Sequence, residues 1–123
     1  MSRKIVVADD EADIRRLVAF TLTRRGHAVL QAGAGDEALA LVRREDPDLV
    51  VLDVMMPGLT GPEVVRALRA EGSPVPCLLI SAHGHAADLE RGFAAGASAY
   101  MIKPFVPREL ADRVAELLAA RPA

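Results

Sequence analysis

The sequence holds one cysteine, only two lysines among its 15 basic residues, no block of like charges long enough to form a tail, and no apolar stretch of membrane-spanning length. A lone cysteine excludes an internal disulfide and fits a reducing compartment. Cys77 falls inside the apolar run Val75 to Ile80, which makes it a buried structural thiol. The chain opens Met1-Ser2-Arg3-Lys4 and then offers only four apolar residues before Asp9, too few for the core of a signal peptide. With no membrane segment either, the expectation is a cytoplasmic protein. Seventeen acidic residues nearly balance the basic ones, and a net charge of −2 gives no electrostatic reason for direct nucleic-acid binding. Internal repeats, low-complexity segments and interior linkers are also lacking, so 123 residues imply one domain around one core.

What is present is alternation. Four short apolar runs read as buried strands: Ile5 to Ala8, Leu49 to Leu52, Val75 to Ile80 and Ala99 to Ile102. A weaker candidate spans Ala28 to Ala32. Helical stripes lie between them. Ile14, Leu17, Val18, Thr21 and Leu22 form one, Ala38, Leu41 and Val42 a second, and Val64, Val65 and Leu68 a third. Leu110, Val114, Leu117 and Leu118 mark the last, with Pro107 suited to its first turn. Ala86 to Ala95 offers only Leu89 and Phe93 at helical spacing in an alanine-rich background, and is also read as helix. Glycines and prolines punctuate the joints. Five βα units in strict order with short loops predict an α/β fold: a parallel sheet with helices on both faces.

The four strong strands end on residues that do not belong in a core: Asp9-Asp10, Asp53, Ser81 and Lys103. In an open parallel sheet these ends share one edge, where ligands bind. Sequence separations of 28 and 50 residues from Asp53 to Ser81 and Lys103 thereby collapse into one cluster. Three carboxylates crowded together repel each other and call for a hard divalent cation such as Mg²⁺. A lysine supplies a mobile charge for a phosphate oxygen, and a serine hydroxyl a donor to another. The set suits a phosphoryl group, with one aspartate as nucleophile. Any one of these residues alone would be read as a turn or cap residue, and Asp10 is suited to cap a helix starting at Glu11. The coincidence of four complementary strand ends overrides that reading.

At these residues the sequence resembles the receiver domains of bacterial two-component response regulators. The matching stretches are Ile5 to Glu11, Leu49 to Gly61 with its Asp-x-Met-Met-Pro-Gly block, Leu79 to Ala82, Gly92 to Ala97, and Tyr100 to Phe105 with its Lys-Pro-Phe block. The resemblance implies a receiver domain over residues 1–120, with 121–123 as a tail or the start of a linker. It also implies a doubly wound, flavodoxin-like five-stranded sheet of order 2-1-3-4-5. It makes Asp53 the phosphoacceptor, with Asp10, Asp53 and the Met55 backbone carbonyl as magnesium (Mg2+) ligands and Asp9 acting through water. Lys103 would pair with the phosphoryl group, and Ser81 and Tyr100 would form the switch. A cis Lys103-Pro104 bond is implied too, as is control of phosphoryl lifetime by Met55 and His83. The implied partners are a sensor histidine kinase or phosphotransfer protein, and an output domain or protein on the face formed by the fourth helix, fifth strand and fifth helix. Dimerisation on phosphorylation is compatible with the same pattern.

Two readings compete. A Mg²⁺-dependent phosphatase or phosphotransferase working through an aspartyl phosphate would need a cap or insertion to enclose a small substrate, and every loop here is short. A flavodoxin-like cofactor carrier would need a phosphate loop after the first strand, where Asp9-Asp10 repels phosphate. The expectation is therefore a signalling domain that catalyses only its own phosphorylation and dephosphorylation. His27, His83 and His85 lack metal-ligand spacing, and Met55-Met56 reads as loop packing.

Overall fold

A computed structural model of the chain describes residues 3–82 and 84–120. Its elements alternate without exception: β1 (Lys4–Ala8), α1 (Ala12–Arg24), β2 (Ala28–Ala32), α2 (Gly35–Glu45), β3 (Leu49–Asp53), α3 (Gly61–Ala70), β4 (Cys77–Ser81), α4 (Ala86–Ala95), β5 (Ala99–Ile102) and α5 (Pro107–Ala120). All strand pairs are parallel, and the strand order is 2-1-3-4-5. The parallel sheet is the one expected from the alternation, and its doubly wound order is the one the resemblance implied.

The period of two along each strand divides the core between the sheet's faces. Val6, Val50, Leu52, Cys77 and Leu79 meet Ala38, Leu41, Val42, Val64, Val65 and Leu68 of α2 and α3. Ile5, Val7, Leu49, Val51, Leu78 and Ile80 meet Val18 and Leu22 of α1 and Leu110, Val114 and Leu118 of α5. Ile5, Leu22, Leu52, Leu79 and Leu110 are fully buried. Each contributes about 1.5–3 kcal/mol by leaving water. Among the described residues no helix is long and apolar enough to cross a membrane.

Four details depart from the sequence reading. β4 begins at Cys77, not Val75. Val75 is buried but stands between Pro74 and Pro76, neither of which has an N–H to give a ladder. α1 begins at Ala12, with Glu11 rather than Asp10 in the cap position. Leu17 of its stripe is 45% exposed, while Ala19 is buried in its place. α4 turns Gly92 and Ala95 toward the sheet and leaves Phe93 48% exposed, so its packing face is made of small residues. A Cβ on Gly92 would stand 3.0 Å from Leu79 Cδ1 and 3.2 Å from the Tyr100 ring. A Cβ there would require the Leu79 and Tyr100 side chains to give way.

Candidate functional site

Parallel strands deliver their carboxyl ends to one edge, and the five singled-out side chains meet there. Asp53 is the last residue of β3, Ser81 the last of β4, Asp9 follows β1 and Lys103 follows β5. The Lys103 amide donates to the Ser81 carbonyl at 2.7 Å, which ties the ends of β4 and β5 together. The Lys103-Pro104 bond is cis, as the resemblance implied. The loop after β3 is drawn back onto α3: the Gly61 amide donates to the Val54 carbonyl at 2.8 Å. A Cβ on Gly61 would lie 2.5 Å from the Asp53 carbonyl oxygen, so this approach needs glycine. α3 itself is set by a capping box in which the Thr60 hydroxyl accepts from the Glu63 amide and the Glu63 carboxylate accepts from the Thr60 amide.

Asp9, Asp53 and Ser81 are buried polar residues, whereas Asp10 is exposed. The Lys103 ammonium lies 3.2 Å from each of three carboxylates, those of Asp9, Asp53 and Glu11. Asp9 accepts a second hydrogen bond from the Glu11 amide at 2.9 Å, and Arg15 donates to the Asp9 backbone carbonyl at 2.9 Å. Burial first, and then the Asp9 charge, push the Asp53 carboxyl up to about 6, although Lys103 works against the rise. Burial alone would lower Lys103; the surrounding carboxylates, Asp53 foremost, outweigh it and raise the ammonium to about 12. The edge thus carries more negative charge than one lysine neutralises.

That surplus bears on a metal. One oxygen each from Asp9, Asp10 and Asp53 lie within 4.8 Å of one another, an all-oxygen donor set of the kind hard cations take. The residues present fit a divalent cation. A cavity of about 280 Å³ opens beside them, lined by Asp10, Glu11, Asp53, Met55, Ser81, Ala82 and Lys103. Met55 is 62% exposed at its mouth, while Met56 packs into the core. Ser81 also lines the adjoining groove between α3 and α4, which Tyr100 lines as well.

Glu11 and Arg15 were not singled out from the sequence. Glu11 adjoins the acidic pair, and its neighbourhood was the available signal; nothing in the order of residues marks Arg15, whose contact depends on how α1 leaves the sheet. His83 and residues 121–123 lie outside the described residues. His27 precedes β2 at the opposite edge of the sheet, and burial followed by Arg25 and Arg3 holds its imidazole below the usual histidine range. Cys77 is buried in β4, where burial raises its thiol to about 11.

Five parallel strands in the order 2-1-3-4-5, with an aspartate at the central strand end, two more aspartates beside it and a lysine against it, place the chain among doubly wound α/β proteins. Residues 5–115 match the family model of the response regulator receiver domain, and the chain belongs to that family. It is 48% identical over 115 residues to the probable transcriptional regulator ycf27 of Porphyra purpurea, covering 94% of this chain and 47% of that protein. It is 46% identical over 115 residues to the transcriptional regulatory protein ResD of Bacillus subtilis, covering 94% and 48%. The chain spans about half the length of these curated relatives. Among solved structures, the receiver domain of Francisella response regulator 1452 superposes with a TM-score of 0.92 at 31% identity, covering 96% of this chain and 98% of that one. The chemotaxis response regulator CheY4 of Vibrio cholerae gives 0.89 at 32% identity, covering 95% and 99%.

Proposed function

We infer that this domain accepts a phosphoryl group on Asp53 from a phosphohistidine of a sensor histidine kinase or phosphotransfer protein, in a Mg²⁺-dependent reaction. The observation that carries the reading is the convergence of Asp53, Lys103 and Ser81 on one cavity, with Asp9 and Asp10 beside it. An Asp53 carboxylate oxygen attacks phosphorus in line, the P–N bond breaks, and the imidazole leaves with the electron pair, giving an acyl phosphate. Lys103 holds charge on the phosphoryl oxygens, and the Ser81 hydroxyl donates to one of them. Asp10, Asp53 and the Met55 carbonyl would hold the cation, with Asp9 acting through water, and Mg²⁺ when bound would supply positive charge to offset the charge on the phosphoryl oxygens.

The acyl phosphate is a new dianion, and it draws Ser81 inward. Ser81 lines both the acceptor cavity and the groove beside Tyr100, so its displacement opens room for the tyrosine ring. The α4-β5-α5 surface then changes for an output domain or partner protein. The domain acts as a switch and turns over only its own phosphoryl group.

The acceptor is tested directly. Asp53→Asn should take up no label from acetyl phosphate or a cognate kinase in the presence of Mg²⁺, because an amide forms no acyl phosphate. Undiminished labelling in that variant would overturn the assignment.

A further inference from the structure

Glu11 occupies the cap position of α1, where a short polar side chain ordinarily accepts a helix N–H, yet its side chain makes no such bond. Its carboxylate lies instead 3.2 Å from the Lys103 ammonium. The other two acceptors on that ammonium are nearly buried, with side-chain exposures of 5% for Asp9 and 7% for Asp53, whereas Glu11 is 60% exposed. Asp9 and Asp53 are therefore the buried partners of Lys103 and Glu11 the exposed one. What Glu11 adds is a negative charge on the solvent side of the lysine, on the wall of the acceptor cavity.

We propose that Glu11 is a specificity-determining residue for the phosphodonor: its carboxylate, held against Lys103, screens the lysine and disfavours the entry of small free anionic donors. This rests on the reading of Asp53 as phosphoacceptor. An acyl phosphate such as acetyl phosphate arrives with its own negative charge and no docking surface. It relies on the attraction of Lys103, already shared among Asp9, Asp53 and Glu11, and Glu11 weakens that attraction on the solvent side. A donor carried on a protein has contact area elsewhere to offset the same repulsion. In the reaction with acetyl phosphate, an Asp53 oxygen bonds to phosphorus, the P–O bond to the acetyl group breaks, and acetate leaves with the electron pair.

The test uses Glu11→Gln and Glu11→Ser, the second supplying a capping hydroxyl to α1 so that helix stability is kept. Acetyl phosphate labelling rates and beryllofluoride affinities are measured for the wild type and both variants, at low and at high salt. Both variants should label about three-fold faster at low salt and bind beryllofluoride more tightly by a similar factor, the removal of one charge several ångströms away in a watery mouth. The advantage should shrink toward unity in high salt. Glu11→Asp keeps the charge at the mouth and should stay near the wild type. In metal-free protein, the Lys103 Nζ resonance should move in Glu11→Gln. Unchanged or slower labelling at low salt, or an effect indifferent to salt, overturns the proposal while the wild type still labels. A wild type that labels no better than Asp53→Asn would instead remove the phosphoacceptor reading on which it rests.

Discussion

Asp53 pays for its position in proton affinity. Its carboxyl is raised from an ordinary aspartate value to about 6 by burial and by Asp9. A proton bound more tightly in the folded state than in the unfolded one stabilises the fold below the unfolded value. That contribution is lost as the pH rises through about 6. The metal-free protein should therefore lose stability between pH 4 and pH 7 through this group, on the order of the raised value's span. Asp53→Asn should remove that loss and raise the melting temperature at neutral pH by a few degrees. Melts of both proteins across that range check it; a variant that melts lower than wild type at neutral pH would contradict the electrostatic account. Met55 bears on a different prediction. Its exposed apolar side chain stands at the mouth of the acceptor cavity and cannot orient a water. Met55→Asn should shorten the phosphoryl half-life several-fold, on the order of 1 kcal/mol in barrier. The readout is decay of phosphorylated protein without kinase; an equal or longer half-life would show that water is not controlled at this position.

At the scale of elements, α4 is the part whose placement the sequence specified least. The segment was legible as a helix over Ala86 to Ala95, but Leu89 and Phe93 were its only large apolar residues at helical spacing, and the helix buries Gly92 and Ala95. Periodicity weighs bulk, and here close approach was the deciding factor: Leu79 and Tyr100 stand against the glycine, and a larger residue there would press on both. Gly92→Val should push α4 off β4 and β5, at a cost of about 1–3 kcal/mol for overpacking. Because Tyr100 is the only tyrosine and there is no tryptophan, its fluorescence reports the disturbance directly. The variant should show an altered tyrosine signal without any phosphoryl group. A signal identical to the wild type's, in a protein of equal stability, would mean that the neighbouring side chains absorb the volume and α4 stays where it is. The strands, by contrast, were legible to within a residue or two, since a buried parallel strand is a short apolar run bounded by breakers. β4 shows the largest offset, two residues at its start, and Pro76 is the reason.

Across the whole molecule, the crowding of Asp9, Asp10 and Asp53 would couple the binding of a cation there to folding. A cation that binds the folded site alone stabilises it by mass action, so the melting temperature should climb with Mg²⁺ concentration. Asp10→Ala should blunt that climb more than Asp9→Ala. Asp9 is already engaged by Lys103 and by the Glu11 amide, while Asp10 is exposed and carries its charge into the cavity. Thermal melts against Mg²⁺ for the three proteins decide the order, and equal slopes would leave both carboxylates as turn residues.

The sequence by itself determined the alternation of strands and helices, and with it the parallel sheet, because apolar runs and amphipathic stripes are local patterns with fixed periods. It also determined which residues meet at the site. Once strands run parallel, Asp9, Asp53, Ser81 and Lys103 share an edge whatever their separation along the chain. The tertiary structure alone decided the finer relations. Which carboxylates hold Lys103, that Asp9 is buried while Asp10 is not, that Arg15 reaches the Asp9 carbonyl, and that α4 lies on its glycine face all depend on angles at which elements leave the sheet. Those angles come from packing between residues far apart in the chain, and no local pattern carries them.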